Sequence, residues 1–379
     1  MNLAFRDIRH NLLRFFLTCL GLGLLLGIVI TMAGIYRGAL DDALRLVRAA
    51  DPDLWVVEAG TNGPFSESSR ISGDTREMVA RVAGVERAGS VTYQSAQVEV
   101  GGKPLRLYVV GFEPGRPGGP RQLVAGRQIQ RSHYEMIVDQ SAGIPLDTRV
   151  PFGHRGHLFT VVGLTQAQLT SGGDPVAYMT LRDAQELQFE TAPPITRREA
   201  ARGGSRAGSD IVNAVLATVS PHARTADVAA AVERWKHLSA LTAAEQETLV
   251  SRFVIERQRR QIGMFMVLLV IVSAVIIALI IYTLTMDKLR SIATLKLIGA
   301  PDRTIIGLIV QQALSMGIIG FALGLTLVAA FKDLFPRRVI LLPEDIAVLF
   351  AIVVIVCLAA SSLGVRAAVK VDPGKALVG

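Results

Sequence analysis

The chain has 379 residues, half of them apolar and 19% charged, with a formal net charge of +8 and a mean hydropathy of +0.41. It is too apolar for an ordinary soluble protein and too interrupted by polar sequence for an all-membrane bundle, so membrane and soluble parts are expected. The basic residues are scattered rather than gathered into an aromatic-interleaved stripe, which excludes a nucleic-acid partner. Cys19 and Cys357 both fall in apolar runs, so the polar part holds neither a disulfide nor a thiolate zinc site.

Residues 1–14 pattern as a basic amphipathic helix leading into 15–36, the first of four stretches without charge; the others are 261–286, 304–331 and 346–365. Crossing about 30 Å of hydrocarbon takes about 20 helical residues, so all four are read as membrane spans. The first exceeds the roughly 7–15 residues of a signal-peptide core and no small-x-small cleavage site follows it, so it is read as a retained anchor. Arg6, Arg9, Arg14, Lys288, Arg290, Lys296, Arg303, Arg366, Lys370 and Lys375 flank one side of the spans. The single short loop on the other side, 332–345, carries Lys332, Arg337 and Arg338. The bias expects both termini, the segment 287–303 and the tail 366–379 in the cytoplasm, and residues 37–260 outside.

No span contains Asp, Glu, Lys, Arg or His, which argues against an ion-coupled carrier or channel. Gly23 with Gly27, Ala313 with Gly317, and Gly320 with Gly324 are small-xxx-small pairs suited to close helix packing. The general glycine richness of membrane helices accounts for any one pair equally well.

Between residues 37 and 260, short alternating or β-branched runs at 54–57, 91–100, 105–112 and 158–164 read as strands. Local helix caps are expected at Asp74 before Glu77, Thr180 before Asp183, Thr225 before the Ala-rich run, and Thr242 before Glu245. The order is strand, helix, strand to about residue 100, a β-rich insertion to about 189, then strand and helix again from 211 to 235. This is a porter-like split α+β module with an inserted β subdomain. Residues 192–210, rich in proline, arginine and glycine, read as a mobile loop. Residues 243–260 run without a helix breaker into the second span; as one helix they rise about 27 Å, a lever, and the alternative is a break near Gln261 or Gly263.

The sequence lacks the Gly-x-x-x-x-Gly-Lys-Ser/Thr loop that cradles nucleotide phosphates, as well as His-Glu-x-x-His and Gly-x-Ser-x-Gly. No catalytic residue, cofactor site or metal site is therefore assigned. His154 and His157 have a spacing that could hold a metal, but they sit in a glycine-flanked turn with no carboxylate or thiol nearby in sequence, so a solvated turn is expected. Leu289, Ile292, Leu295 and Ile298 form an apolar stripe beside Lys288, Arg290 and Lys296, ending at Gly299. By pattern this amphipathic helix suits lipid headgroups and a docking partner equally well.

The opening NLAFRDIRHNLLRFFLTCLGLGLLLG, the block IATLKLIGAPDRTIIGLIVQQALSMGIIGFALG and the closing RAAVKVDPGKALVG resemble the membrane-end signatures of FtsX/MacB-type permeases. DPDLWVVEAG with GVERAG resembles the DevC and haem-exporter branch, which lacks a fused ATPase. The resemblance implies an α-helical membrane domain with four transmembrane helices plus an α+β extracytoplasmic domain, in a bacterial inner membrane. It implies a homodimer with two copies of a separate ABC ATPase, which would hold ATP and magnesium. Lys288, Arg290, Ile292, Leu295, Lys296, Gly299, Ala300 and Pro301 would form the ATPase-coupling helix, and Gly23, Gly27, Gly317, Gly320 and Gly324 the helix-packing contacts. Family coupling segments often carry Arg-Glu-Ile where this chain has Arg290-Ser291-Ile292, so Lys288, Arg290 or Lys296 takes over the docking contact. Export of an amphipathic or hydrophobic compound by mechanotransmission is the expected function, with a membrane-fusion adaptor and an outer-membrane channel as further partners. FtsX-like signalling to an outer partner and lipoprotein extraction are the alternatives.

Overall fold

The computed structural model describes residues 12–65, 67, 69–153, 155–190, 210–287, 294, 298, 301–335 and 337–369. The basic helix expected at 1–14 lies outside them up to residue 11, as does the loop expected at 192–210 save Asp210. The chain divides into two units, one of residues 1–38 with 258–379 and the other of residues 39–257. Two helices have residues in both.

The first is α1 (Leu12–Ala50), which continues past the expected end of the span at residue 36. It stops where Asp51 turns to a positive φ of 39° ahead of Pro52, whose ring disfavours helix in the preceding residue. There follow β1 (Leu54–Glu58), β2 (Ile71–Ser72), α2 (Thr75–Ala80), β3 (Val85–Val100), β4 (Lys103–Phe112) and β5 (Ala125–Gly126). After these come β6 (Glu135–Asp139), β7 (Arg149–Phe152), β8 (His157–Thr165), β9 (Val176–Thr180) and α3 (Leu181–Glu190). The outer unit closes with β10 (Ile211–Val212), β11 (Ala214–Val219), α4 (Thr225–Glu233) and β12 (Leu238–Thr242). Three long helices remain: α5 (Ala243–Asp287), α6 (Asp302–Phe331) and α7 (Pro343–Val369).

One sheet runs in the order β12-β1-β11-β3-β4-β9-β6-β8-β5, with β7 pairing β8. Its first four strands are the split module and the remainder the inserted subdomain. The two meet at the long β3–β4 hairpin, whose turn is Gly101-Gly102 at φ 58° and 76°. Two consecutive positive φ values make the turn that matches strand twist, and glycine takes them without penalty.

The period of two in the strands sorts side chains to opposite faces. Leu54, Val56, Val215 and Ala217 share a core with Val79 of α2 and Val228 and Val232 of α4. The alternate residues Trp55, Val57, Ala214 and Leu216 pack on the other face with Ala43, Leu46 and Val47 of α1 and Val250 of α5. The inserted strands have their own core around Leu107, Met136, Phe152, Phe159 and Leu187.

Two of the four expected caps form. The Thr242 hydroxyl accepts from the Glu245 amide at 3.3 Å while the Glu245 carboxylate accepts from the Thr242 amide at 2.8 Å, a capping box. The Thr180 hydroxyl accepts from the Asp183 amide at 3.2 Å. The other two expectations are corrected: Asp74 precedes α2 without a side-chain capping bond, and Thr225 is already the first residue of α4, with Arg224 in the cap position. Thr225 fails as a cap because Arg224, in extended backbone, is where the chain turns into the helix.

In the membrane unit, Leu22, Leu26, Val29 and Ile30 of α1, Ile277 and Ile281 of α5, Ile309 and Phe321 of α6, and Leu349 and Val353 of α7 form a single core. A Cβ placed on Gly324 would lie 2.7 Å from the Gly23 carbonyl oxygen, and one on Gly23 3.0 Å from the Gly320 carbonyl oxygen. A Cβ on Gly27 would meet nothing nearer than 3.6 Å. Gly324→Ala should therefore destabilise the membrane unit by about 1–3 kcal/mol, through forced separation of two backbones. Gly27→Ala should change it by less than about 0.5 kcal/mol. Thermal unfolding of both variants in detergent checks the contrast; equal behaviour would contradict the packing described.

Candidate coupling and transmission site

Most residues expected to couple to an ATPase, Lys288, Arg290, Ile292, Leu295, Lys296, Gly299 and Ala300, lie outside the described residues. Of that segment, Ile298 is 79% exposed, and its amide donates to the Thr294 carbonyl at 3.1 Å. Pro301 is extended (φ −68°, ψ 147°) at the cap of α6, where its fixed φ and missing N–H cost nothing. The segment therefore ends in an exposed apolar side chain and a proline that starts the next helix.

The helix-packing residues are brought together in two groups. Gly23 and Gly27 of α1 face Gly320 and Gly324 of α6, and Gly317 of α6 faces the Cys357 thiol of α7. Ala313, the small residue one turn before Gly317, is 1% exposed. At the other end of α1, Gly34 and Gly38 allow residues 338–341 to lie against the helix, with the Ile340 amide donating to the Gly34 carbonyl at 3.1 Å. Arg37 closes this contact by donating two hydrogen bonds to Asp345 of α7, at 2.7 and 2.8 Å.

The second fixed point joins the outer parts of α1 and α5. Arg48 donates from Nε and Nη2 to the two carboxylate oxygens of Glu247, each at 2.8 Å. The Arg48 guanidinium holds the Glu247 carboxyl below its ordinary value of 4.5, against opposing burial. A two-point fork of this kind fixes orientation as well as distance. At 58% exposure of the arginine side chain it contributes little stability, on the order of 1 kcal/mol or less, so its consequence is geometric. Sequence reasoning missed both ion pairs. Their partners are 199 and 308 residues apart, and no spacing rule links them.

His157 corrects one expectation. It opens β8 rather than sitting in a solvated turn, and a carboxylate is near it in space: its Nε2 lies 3.7 Å from Oε1 of Glu190, at the end of α3. His154 lies outside the described residues, among which no group of three His, Cys, Asp or Glu could hold a metal.

Two family models match the chain. The MacB-like periplasmic core domain covers residues 15–235, more than half of the sequence, and the FtsX-like permease C-terminal domain covers residues 263–373. The chain belongs to the FtsX/MacB family of ABC transporter permeases. Similar full-length relatives include two uncharacterised ABC transporter permeases of Mycobacterium tuberculosis. One is 25% identical over 376 residues and the other over 383, each alignment covering 99% of both chains. Among solved structures, the periplasmic region of MacB from Actinobacillus actinomycetemcomitans matches 52% of this chain and 92% of its own at 14% identity, with a TM-score of 0.36. The extracellular domain of the ABC-type transporter YknZ matches 51% and 100% at 10% identity, with a TM-score of 0.35.

In this FtsX/MacB permease the outer domain is the MacB-like core, and α5 leads from its last strand, β12, into the membrane segment. The inserted half of that domain is pinned at the start of β6 by Glu135, whose side chain is 3% exposed. Arg127 donates to Glu135 from Nη2 at 2.6 Å and Nη1 at 3.1 Å, and the amides of Gln130 and Arg131 donate at 2.9 and 3.0 Å. The Arg127 guanidinium foremost, then the two amides, hold its carboxyl at about 2 instead of 4.5, with burial opposing. A depressed folded-state value means that the stabilisation is complete above about pH 4.5 and is lost as the pH falls towards about 2. Glu135→Gln should cost on the order of 2–3 kcal/mol at neutral pH and flatten the acid dependence in that window. Urea unfolding of the detergent-purified protein checks it, followed by the strand signal in far-UV circular dichroism. An unchanged acid profile would show that Glu135 is not the group responsible.

Proposed function

We propose that this permease couples ATP hydrolysis by a separate ATPase chain to movement of its extracytoplasmic domain, exporting an amphipathic or hydrophobic compound from the outer side of a bacterial inner membrane. The observation that carries this reading is the unbroken helix α5, which begins at the capping box after β12 and ends at Asp287, where the coupling segment begins. A continuous helix carries a displacement of one end towards the other through its hydrogen-bond ladder. The exposed Ile298 suits a helix whose apolar stripe is covered by a partner. Both termini are then cytoplasmic, a second permease copy completes the complex, and ATP with magnesium is bound by the ATPase.

The mechanism follows from these parts. Closure of the ATPase pair displaces the segment 288–301. The displacement passes along α5 to the outer sheet, and the Arg48–Glu247 fork obliges the end of α1 to follow. The charge-free spans offer no polar path, which suits a substrate that is handled outside and does not pass between the helices.

Leu295→Asp or Gly299→Pro should reduce ATPase activity of the reconstituted permease–ATPase complex about tenfold or more, the first by placing a charge in the docking stripe and the second by disturbing the helix end. ATPase activity indifferent to both changes would overturn the coupling. Mass spectrometry of what co-purifies in mild detergent then separates the outer partners: an adaptor is expected, whereas a cell-wall hydrolase would replace export by signalling.

A further inference from the structure

The outer domain contains a cavity of about 370 Å³ beside the end of α1, bounded by Ala50 and Asp51, the loop 114–121, and residues of β3, β4 and β11. Its volume falls within the ~300–1,000 Å³ typical of small-molecule sites. We infer that this cavity binds an amphipathic anion, a small carboxylate-like head on an apolar body. The inference rests on the export reading and names the ligand class for it.

The lining divides by chemistry. Phe112 and Ile129 are buried, and together with Pro117 and Pro120 they supply an apolar, conformationally stiff wall. Three of the lining residues are arginines, Arg87, Arg116 and Arg121, against one acidic residue, Asp51. Arg121 is paired with Asp51, and Arg116 donates to the Ala88 carbonyl at 3.3 Å and lies 3.8 Å from Glu113. Arg87 is exposed at the rim. Guanidinium groups present a planar fork to a carboxylate, so an anionic head is bound at the rim while its apolar body displaces water from the wall.

The cavity is built rather than left over from loop packing. A Cβ on Gly119 would meet the Phe112 ring at contacts too close to exist, and the Gly118 backbone has φ 119° against Val91 and Leu216. These glycines seat the loop on the sheet and hold Arg116 and Arg121 at the opening. The position matters because Asp51 ends α1 in left-handed backbone, φ 39°. An anion that draws Arg121 away from Asp51 loosens the end of the helix that leads to the membrane, so occupancy is reported where α1 meets the sheet.

The test is hydrogen exchange of the full chain in nanodiscs, without ATPase, in the presence of octanoate, octanol or inorganic phosphate. Octanoate should slow exchange at 112–121 and hasten it at 50–54, while octanol and phosphate at the same concentration should do neither. Arg87→Gln and Arg121→Gln should each weaken the octanoate effect about tenfold, and Lys103→Gln, at the distant hairpin tip, should leave it intact. Equal protection by octanol would remove the arginines from the site, equal protection by phosphate would remove the apolar wall, and no protection by octanoate would overturn the inference. Because no nucleotide or partner is present, failure here leaves the coupling test of the preceding section standing, and failure there leaves this one standing.

Discussion

Everything proposed for this permease depends on α5 keeping its backbone hydrogen-bond ladder from Ala243 to Asp287. Most of the stability of such a helix comes from the apolar surface that its two ends bury rather than from propensity. At the outer end, Thr242 and Glu245 satisfy the first free amides and Val250 enters the core beneath Trp55 and Leu216. In the membrane, Ile277 and Ile281 join the core of α1, α6 and α7, while hydrocarbon enforces internal pairing of every backbone group. Gly263 sits within the helix with open space where a side chain would project, and it introduces no break.

The remaining fixed points act on α1, and they are of two kinds. In the membrane the constraint is steric, because glycine carbonyls of α1 and α6 approach so closely that even a methyl group would intrude. Outside the apolar core it is electrostatic, through the two arginine forks, Arg37 on Asp345 and Arg48 on Glu247. Neither fork contributes much energy. Each fixes which turn of one helix faces which turn of another, and a chain of transmitted motion requires that registry.

What could be read from sequence was what local periodicity encodes. The four apolar stretches, the strand runs at 54–57, 105–112 and 158–164, and the Thr242–Glu245 box declare themselves within a few residues. Contacts between distant positions were not legible: Glu190 beneath His157, the two arginine forks and the arginine-rimmed cavity each join segments far apart in the chain. Asp74 and Thr225 show a subtler limit: Asp74 holds the cap position but, in helical backbone, makes no side-chain capping bond, and at α4 the cap falls one residue earlier, on Arg224. The extension of α1 to Ala50 was missed for a related reason, because 37–50 is polar enough to look like the start of a soluble domain although its helical pattern continues.

The central claim is that motion travels through α5, and its most direct test interrupts that helix while sparing both ends. Four residues, Gly-Gly-Ser-Gly, are inserted after Gln258 in the full chain, which is then assembled with its ATPase. Hydrogen exchange across residues 39–257 is compared with and without ATP. Transmission along α5 predicts a nucleotide-dependent change in the outer domain of the parent protein that disappears in the insertion variant, although the ATPase still co-purifies. An outer domain that responds to ATP equally in both proteins would contradict it.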